Sequence, residues 1–384
     1  MPPGAFALAR VRNFRSFAHS GFRLVQTNQA KLPFSAALRW ACKILAITSG
    51  YLLLAPSSVQ SQQPTLILPT ENQGLLHGDP ASFYQYVQRD FEGQVSQAWE
   101  GGQYGFVRNP VRFGSAIIYT RFHEGIDIRP LNRDARGEPT DVVHAIAPGK
   151  VAYTNTVAGN SNYGRYVVVE HLFENCPYYS LYAHLSVVTV NPGDQVAQNA
   201  PLAVMGHTGE GIDRERAHVH LELNLMLNGH FTEWQSKYFP KDINRHGIYN
   251  GMNLAGLDIG RFYLQLQKDP TLTVAQFLQS GEPWYRVIVP RSPQMDLQER
   301  YPWLVQGSQT GQSWELTFDR TGLPLRIRAV EESTTEPKLS WVHPSTYPQN
   351  WMTKGHIQNR GSASALTTEG RRFIELICPT SPLK

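Results

Sequence analysis

The sequence predicts a mainly β protein: an antiparallel β-sandwich or partly open barrel over residues 104–230, followed by a smaller β-rich C-terminal module. Three observations carry this expectation. Residues 113–226 are a succession of short alternating apolar and polar runs punctuated by Gly and Pro, the pattern of antiparallel strands. Within them, Ala217-His-Val-His-Leu-Glu-Leu-Asn-Leu225 sets His218, His220, Glu222 and Asn224 against Val219, Leu221, Leu223 and Leu225, which is the period of a half-buried strand. Beyond residue 281, strand-like runs return at Trp284-Tyr-Arg-Val-Ile-Val289, Ser313-Trp-Glu-Leu-Thr-Phe318 and Leu323-Pro-Leu-Arg-Ile-Arg-Ala-Val330, the last two forming a hairpin across Asp319-Arg-Thr-Gly322.

Taken in order, residues 1–61 read as a signal peptide or N-terminal export segment. Arg10, Arg12, Arg15, Arg23, Lys31, Arg39 and Lys43 occur there with no acidic residue, followed by the apolar run Ile44–Ala55 and then by small and polar residues, with Val59-Gln-Ser61 as a cleavage site. The apolar run falls short of the about 20 residues that span a bilayer, so membrane contact is expected only through an uncleaved N-terminal anchor. Cys42 precedes the run, which disfavours a lipid-anchored cysteine at its end. Residues 62–103 form a lead-in with Pro64, Pro69 and Pro80, in which Ala81-Ser-Phe-Tyr-Gln-Tyr-Val-Gln-Arg89 reads as a short helix or strand. After the domain at 104–230, residues 231–280 form a mixed connecting segment with Thr273-Val-Ala-Gln-Phe-Leu278 helical. Residues 281–384 make up the C-terminal module, in which Arg371-Arg-Phe-Ile-Glu-Leu-Ile377 reads as a further strand. Once an export segment is removed, Cys176 and Cys378 are left, either as a disulfide or as two separate thiols.

The chemistry lies in two short histidine motifs about 95 positions apart, His123-Glu-Gly-Ile-Asp127 and His218-Val-His220. On a strand, His218 and His220 face the same way with their side chains about 7 Å apart, so one can bind a metal while its neighbour works on the coordinated water. The first motif departs from the helical H-E-x-x-H signature: its fifth position is Asp127, Gly125 sits at its centre, and Ile126 and Ile128 favour an extended chain. A turn running into a strand is therefore expected, with Glu124 a solvated neighbour rather than a general base. Two histidines and an aspartate leave the fourth tetrahedral position for water, as in a catalytic zinc site, and ligation without cysteine suits zinc in an oxidising compartment. His77, His144, His171, His207 and His230 read as surface or hydrogen-bonded histidines. Glu222 is either a partner that fixes a histidine tautomer or a surface carboxylate, and Asn224 reads as structural.

Along residues 104–226 the chain resembles the lysostaphin-type, or LytM-like, zinc metalloendopeptidases of the glycyl-glycine endopeptidase type, which cut peptides of bacterial peptidoglycan. The resemblance runs through His123-Glu-Gly-Ile-Asp-Ile128, Ala145-Ile-Ala-Pro-Gly-Lys-Val151, Tyr182-Ala-His-Leu185, Val190-Asn-Pro-Gly-Asp-Gln-Val196, Gly206-His-Thr-Gly209 and His218-Val-His-Leu-Glu222 in order. It implies one Zn2+ per chain held by His123, Asp127 and His220, with His184 and His218 as non-ligand catalytic histidines acting on a zinc-bound water and the substrate carbonyl. It also implies that residues 104–230 are a zinc metallopeptidase catalytic domain whose substrate is a stem or cross-link peptide of peptidoglycan. Two loops depart from the family pattern and flank the site: Leu131-Asn-Arg-Asp-Ala-Arg-Gly-Glu-Pro-Thr140 and Gly211-Ile-Asp-Arg-Glu-Arg-Ala217. Substrate preference is expected to reside there. Upstream, Gly101-Gly-Gln-Tyr-Gly-Phe-Val-Arg-Asn-Pro110 resembles the family's F-G-x-R-x-x-P lead-in with altered spacing.

Composition fits a folded enzyme. In 384 residues, 41% are hydrophobic and 17% charged, which excludes a disordered chain. The net charge of +4 is slight and part of it lies in residues 1–61, so no basic stripe supports a nucleic-acid partner. The sequence-based expectation is an exported peptidoglycan endopeptidase of the periplasm, cell envelope or exterior. Two alternatives are a metal-free relative acting as adaptor or activator of another cell-wall hydrolase, and a wall-binding module that holds peptide without cutting it.

Overall fold

The architecture is built outward from one strand, Val219–Met226, which carries the second histidine motif. The computed structural model describes residues 66–87, 90–292, 295–360 and 363–379. The segment read from sequence as an export signal, with Cys42 and Val59-Gln-Ser61, lies outside the described residues. Val219–Met226 is paired on both edges. Its start runs antiparallel to Ile126–Ile128 on one side, and residues 220–224 run antiparallel to Tyr179–Ala183 on the other. Its far end pairs with Leu254–Gly256. The sheet continues outward through Cys176–Leu185, Arg165–Phe173, Gly149–Asn155 and Gln195–Val196, every neighbour antiparallel.

The alternating pattern of 217–225 forms the expected strand, but all its residues are buried, whereas a half-buried strand was expected. Val219, Leu221, Leu223 and Leu225 enter the main core at 0% exposure. The polar face is covered too, since Tyr163 reaches over it to Glu222. Such burial is tolerated only because each polar side chain finds a partner. His220 and Glu222 bond each other, and Asn224 donates to the carbonyl of Tyr179 at 3.2 Å.

His123 ends a two-stranded ribbon, Gly105–Phe113 with Ala116–His123, and Glu124-Gly125 then turn the chain into Ile126–Ile128. Gly125 permits that turn: a Cβ there would stand 2.3 Å from the carbonyl oxygen of Leu221, so no larger residue allows the two chains to approach. A three-stranded sheet of Val142–His144, Pro201–Val204 and Val187–Val188 lies beside the main sheet. Of the histidines outside the motifs, His171 is buried, with Nδ1 donating to Pro148 O (2.8 Å) and Nε2 bonded to Ser180 Oγ (2.7 Å).

The C-terminal part is a four-stranded antiparallel sheet, ordered Pro324–Val330, Ser313–Phe318, Tyr285–Pro290 and Lys338–Val342. It includes the expected hairpin across 319–322. The helix expected at 273–278 spans Val274–Gln279, opened by a capping box between Thr273 and Gln276. Residues 371–377, expected as a strand, instead lie in a helix, Thr368–Ile377. Thr367 caps it by accepting the Gly370 N–H, and Gly370, Ile374 and Ile377 fall on one buried face at helical spacing, which overrides the β-branched content. Of the segment 81–89, the first residues close a four-residue helix, Pro80–Phe83. Cys176 and Cys378 are both buried free thiols, so the pairing considered from sequence is not formed. One hydrophobic cluster runs from Leu68 through the main sheet to Cys378, and all described residues belong to one compact unit. No described helix is long and apolar enough to cross a membrane.

Candidate metal centre and cleft

Strand register brings the two motifs together. His220 stands directly opposite Asp127 in one pairing and opposite Ala183 in the other. His123, three residues before the short strand, folds over the same face. Three atoms converge as a result: His123 Nε2 lies 3.0 Å from His220 Nδ1, His220 Nδ1 2.9 Å from Asp127 Oδ1, and Asp127 Oδ1 3.1 Å from His123 Nε2. All three residues are buried. A tetrahedral ion with bonds of about 2.0 Å would separate its ligands by about 3.3 Å, so this triangle is close to one face of such a coordination shell.

The outer hydrogen bonds decide what these atoms offer. His123 Nδ1 donates to the Gln103 carbonyl at 2.7 Å, leaving Nε2 as a lone pair. His220 Nε2 donates to Glu222 Oε1 at 2.8 Å, leaving Nδ1 as a lone pair. Two imidazole lone pairs and a carboxylate oxygen therefore face one point, an arrangement that calls for a cation. Without the ion, a proton on His220 takes the place of that cation. Burial works against the charged form of His220, yet hydrogen bonds and charge from Asp127 and Glu222 outweigh it and lift the ring to about 10. Asp127 is held well below the usual carboxylate range: burial opposes this, but the charges of His123 and His218 prevail. His123 is lowered, chiefly by burial. These residues fit zinc by donor set, spacing and tautomer.

His184 and His218 sit beside the cluster, their ring centroids 4.7 Å apart. His218 Nδ1 donates to the Arg216 carbonyl at 2.7 Å, and its Nε2 lies 3.4 Å from Asp127 Oδ1. His184 Nδ1 donates to the Thr208 carbonyl at 2.8 Å. With Nδ1 committed to a carbonyl, each ring has its Nε2 left for other partners. Burial, then the neighbouring His218 and His220, hold His184 well below the ordinary histidine value, so it stays neutral. His184 also has φ +63°, a left-handed conformation rare outside glycine, at a bulge where the register shifts between Arg165–Leu185 and Val167–Tyr182. The bulge turns its ring into the site instead of leaving it on an ordinary strand face. Gly209 permits the loop behind it, with φ +112° and no room for a Cβ against Asn162 O at 2.3 Å.

All five residues singled out from the sequence are therefore brought together. Several supporting groups were not found there. Arg108 Nη2 binds the other oxygen of Asp127 at 2.5 Å, and Tyr163 donates to Glu222 Oε1 at 2.7 Å. Arg108 lay in the weakly matched lead-in, Tyr163 lay in no motif, and the carbonyls of Gln103, Thr208 and Arg216 leave no trace in residue identity. Glu222 is the tautomer-fixing partner, 1% exposed, of the two readings open for it. Burial opposes its ionisation, but the His220 and Tyr163 bonds lower it below the usual range. Glu124 is half-buried in the turn. Since it makes none of the bonds that fix the cluster, Glu124→Gln should leave the rate within about twofold; a collapse with metal retained would identify it as a general base.

The site opens into a cleft of about 1480 Å3. One wall is the ribbon at 105–123, another comes from residues 160–163 and 250–256, and residues from the C-terminal part, including Lys354, His356 and Phe373, line it as well. Phe122 of the ribbon lies under Lys354 Nζ (4.7 Å), Phe106 under Arg320 (4.5 Å), and Phe113 packs on Tyr347 and Trp351. The C-terminal part thus braces the ribbon that carries His123 and Arg108.

The catalytic domain of the prophage-encoded M23 protein EnpA from Enterococcus faecalis is 21% identical over 37% of this chain and 86% of its own, with a TM-score of 0.23. A zinc-containing peptidase from Vibrio cholerae is 22% identical over 37% of this chain and 36% of its own, TM-score 0.24. The catalytic domain of the antimicrobial peptidase lysostaphin from Staphylococcus simulans is 21% identical over 36% of this chain and 79% of its own, TM-score 0.23. No curated protein matches significantly. Residues 121–232, which contain all five histidine and aspartate positions of the site, match the sequence model of peptidase family M23.

Proposed function

We propose that the protein is an exported, zinc-dependent endopeptidase that hydrolyses peptide bonds in the stem or cross-link peptides of peptidoglycan, acting in the periplasm, cell envelope or exterior. The observation that carries this reading is the convergence of His123 Nε2, Asp127 Oδ1 and His220 Nδ1, with both imidazole tautomers fixed from behind. Zinc, when bound, lowers the pKa of coordinated water towards about 7 and polarises a carbonyl. The chain's own residues supply the rest. His123, Asp127 and His220 hold the ion, while Arg108 and Glu222 fix the carboxylate and the second imidazole. His184 and His218 stand beside the cluster with Nδ1 of each committed to a carbonyl, so one ring accepts a proton from water and, once protonated, returns it to the leaving amine. The other ring bonds the developing oxyanion. Residues 104–230 form the catalytic domain in this reading, with 231–280 connecting it to the C-terminal module 281–384.

Purified protein should release peptides from isolated wall sacculi, with chelator abolishing release and zinc restoring it. Mass spectrometry of the fragments identifies the bond cut. Sacculi left intact, with the protein instead stimulating a separate amidase equally well as wild type and as His218→Ala, would replace this reading with an adaptor.

A further inference from the structure

The two loops that depart from the family pattern, 131–140 and 211–217, are joined to each other, and only the second lines the cleft. Arg133 donates Nη1 to the Arg214 carbonyl (2.7 Å) and Nη2 to the Glu215 carbonyl (3.2 Å), and Nη1 also reaches the Gly137 carbonyl of its own loop (2.8 Å). Glu138, five residues on, accepts from His207 Nε2 at 3.0 Å and stands 3.9 Å from Arg214 Nη1. The loop that carries both is pinned internally. Asp141 accepts the N–H groups of Leu131 (2.9 Å) and Asn132 (3.0 Å), and Asp134 Oδ1 accepts those of Arg136 (2.8 Å) and Glu138 (2.9 Å).

Each gripped segment adjoins a carbonyl that orients one of the two non-ligand histidines. Arg214 and Glu215 precede Arg216, whose carbonyl takes the His218 Nδ1 proton. His207 precedes Thr208, whose carbonyl takes the His184 Nδ1 proton. An imidazole keeps a single tautomer and a single ring direction only while the acceptor behind it stays in place. A shift of about 1 Å in such a support can cost on the order of 10²-fold in rate. We propose that loop 131–140 is the clamp that positions the catalytic pair, Arg133 acting on His218 through residues 214–216 and Glu138 acting on His184 through His207 and Thr208. Both are positioning residues, touching carbonyls and a ring edge outside the metal cluster. The inference deepens the proposed function and rests on it.

The test uses the full chain loaded with zinc, as wild type, Arg133→Ala, Glu138→Ala and Glu138→Gln. It measures metal content, thermal midpoint, kcat and KM on cross-linked muropeptides released from sacculi, and histidine tautomers from two-bond 1H–15N spectra. Both alanine variants should keep metal, midpoint and KM while kcat falls about tenfold. The single tautomer should be lost at His218 in Arg133→Ala and at His184 in Glu138→Ala. Glu138→Gln, whose amide oxygen still accepts from His207, should keep kcat within about twofold of wild type. Unchanged kcat and tautomers in both alanine variants overturn the proposal. So does a rise in KM alone, which assigns the loop to substrate contact, or a loss of metal or fold, which makes its role structural. A wild type inactive on muropeptides, with tautomers still lost as expected, defeats the functional reading and leaves the clamp standing.

Discussion

Alanine at His123 should abolish metal binding and hydrolysis together, the largest effect of any single substitution in the chain. His123 Nε2 forms one corner of a buried triangle whose other corners are Asp127 Oδ1 and His220 Nδ1. Two remaining donors do not make a tight zinc site. Without the ion the rate should fall by at least about 10³-fold, since the water's acidity and the carbonyl's polarisation are both lost. A ligand that binds only the folded chain stabilises it, by about 4 kcal/mol at 1,000 times its dissociation constant. Chelator-stripped wild type should therefore melt close to His123→Ala, and added zinc should raise the midpoint of wild type alone. His220→Ala should behave the same way. Metal analysis returning equal zinc in wild type and both variants would sink the ligand set.

The second large effect concerns the paired rings that hold no metal. His184→Ala and His218→Ala should each retain one zinc per chain and lose about 10²-fold or more in kcat, because a proton acceptor and an oxyanion donor each contribute on that order. The double variant should be little worse than the poorer single one, as expected for groups that act as a unit. His184 is held neutral by burial and by its histidine neighbours, so it should remain unprotonated in the resting protein throughout the neutral range. Unimpaired turnover in both single variants, with metal intact, would show that the working pair lies elsewhere in the cleft.

Much of this centre was legible because its parts are local patterns. Alternation across 217–225 placed His218 and His220 on one face, and the glycine and β-branched residues after His123 excluded a helix. The pairing of His220 with Asp127 was not legible, since register is a property of two distant segments and becomes visible only when they meet. The left-handed conformation of His184 was likewise hidden, because a bulge is specified by the strand opposite as much as by its own residues. The helix at 368–377 was mistaken for a strand because β-branched residues at 374 and 377 suggested extension, while the Thr367 cap and the buried spacing of 370, 374 and 377 decided otherwise. The full burial of 219–226 followed from covering tyrosines that no alternation pattern encodes.

The pairing of 126–128 with 219–221 also has a temporal consequence. The ligand atoms come from segments separated by more than ninety residues of intervening chain, so the site exists only where that long loop has closed. An extended chain consequently carries every ligand yet has no binding site, which couples metal capture to folding. Any activity of this centre is therefore latent in a chain that has not made this long-range contact.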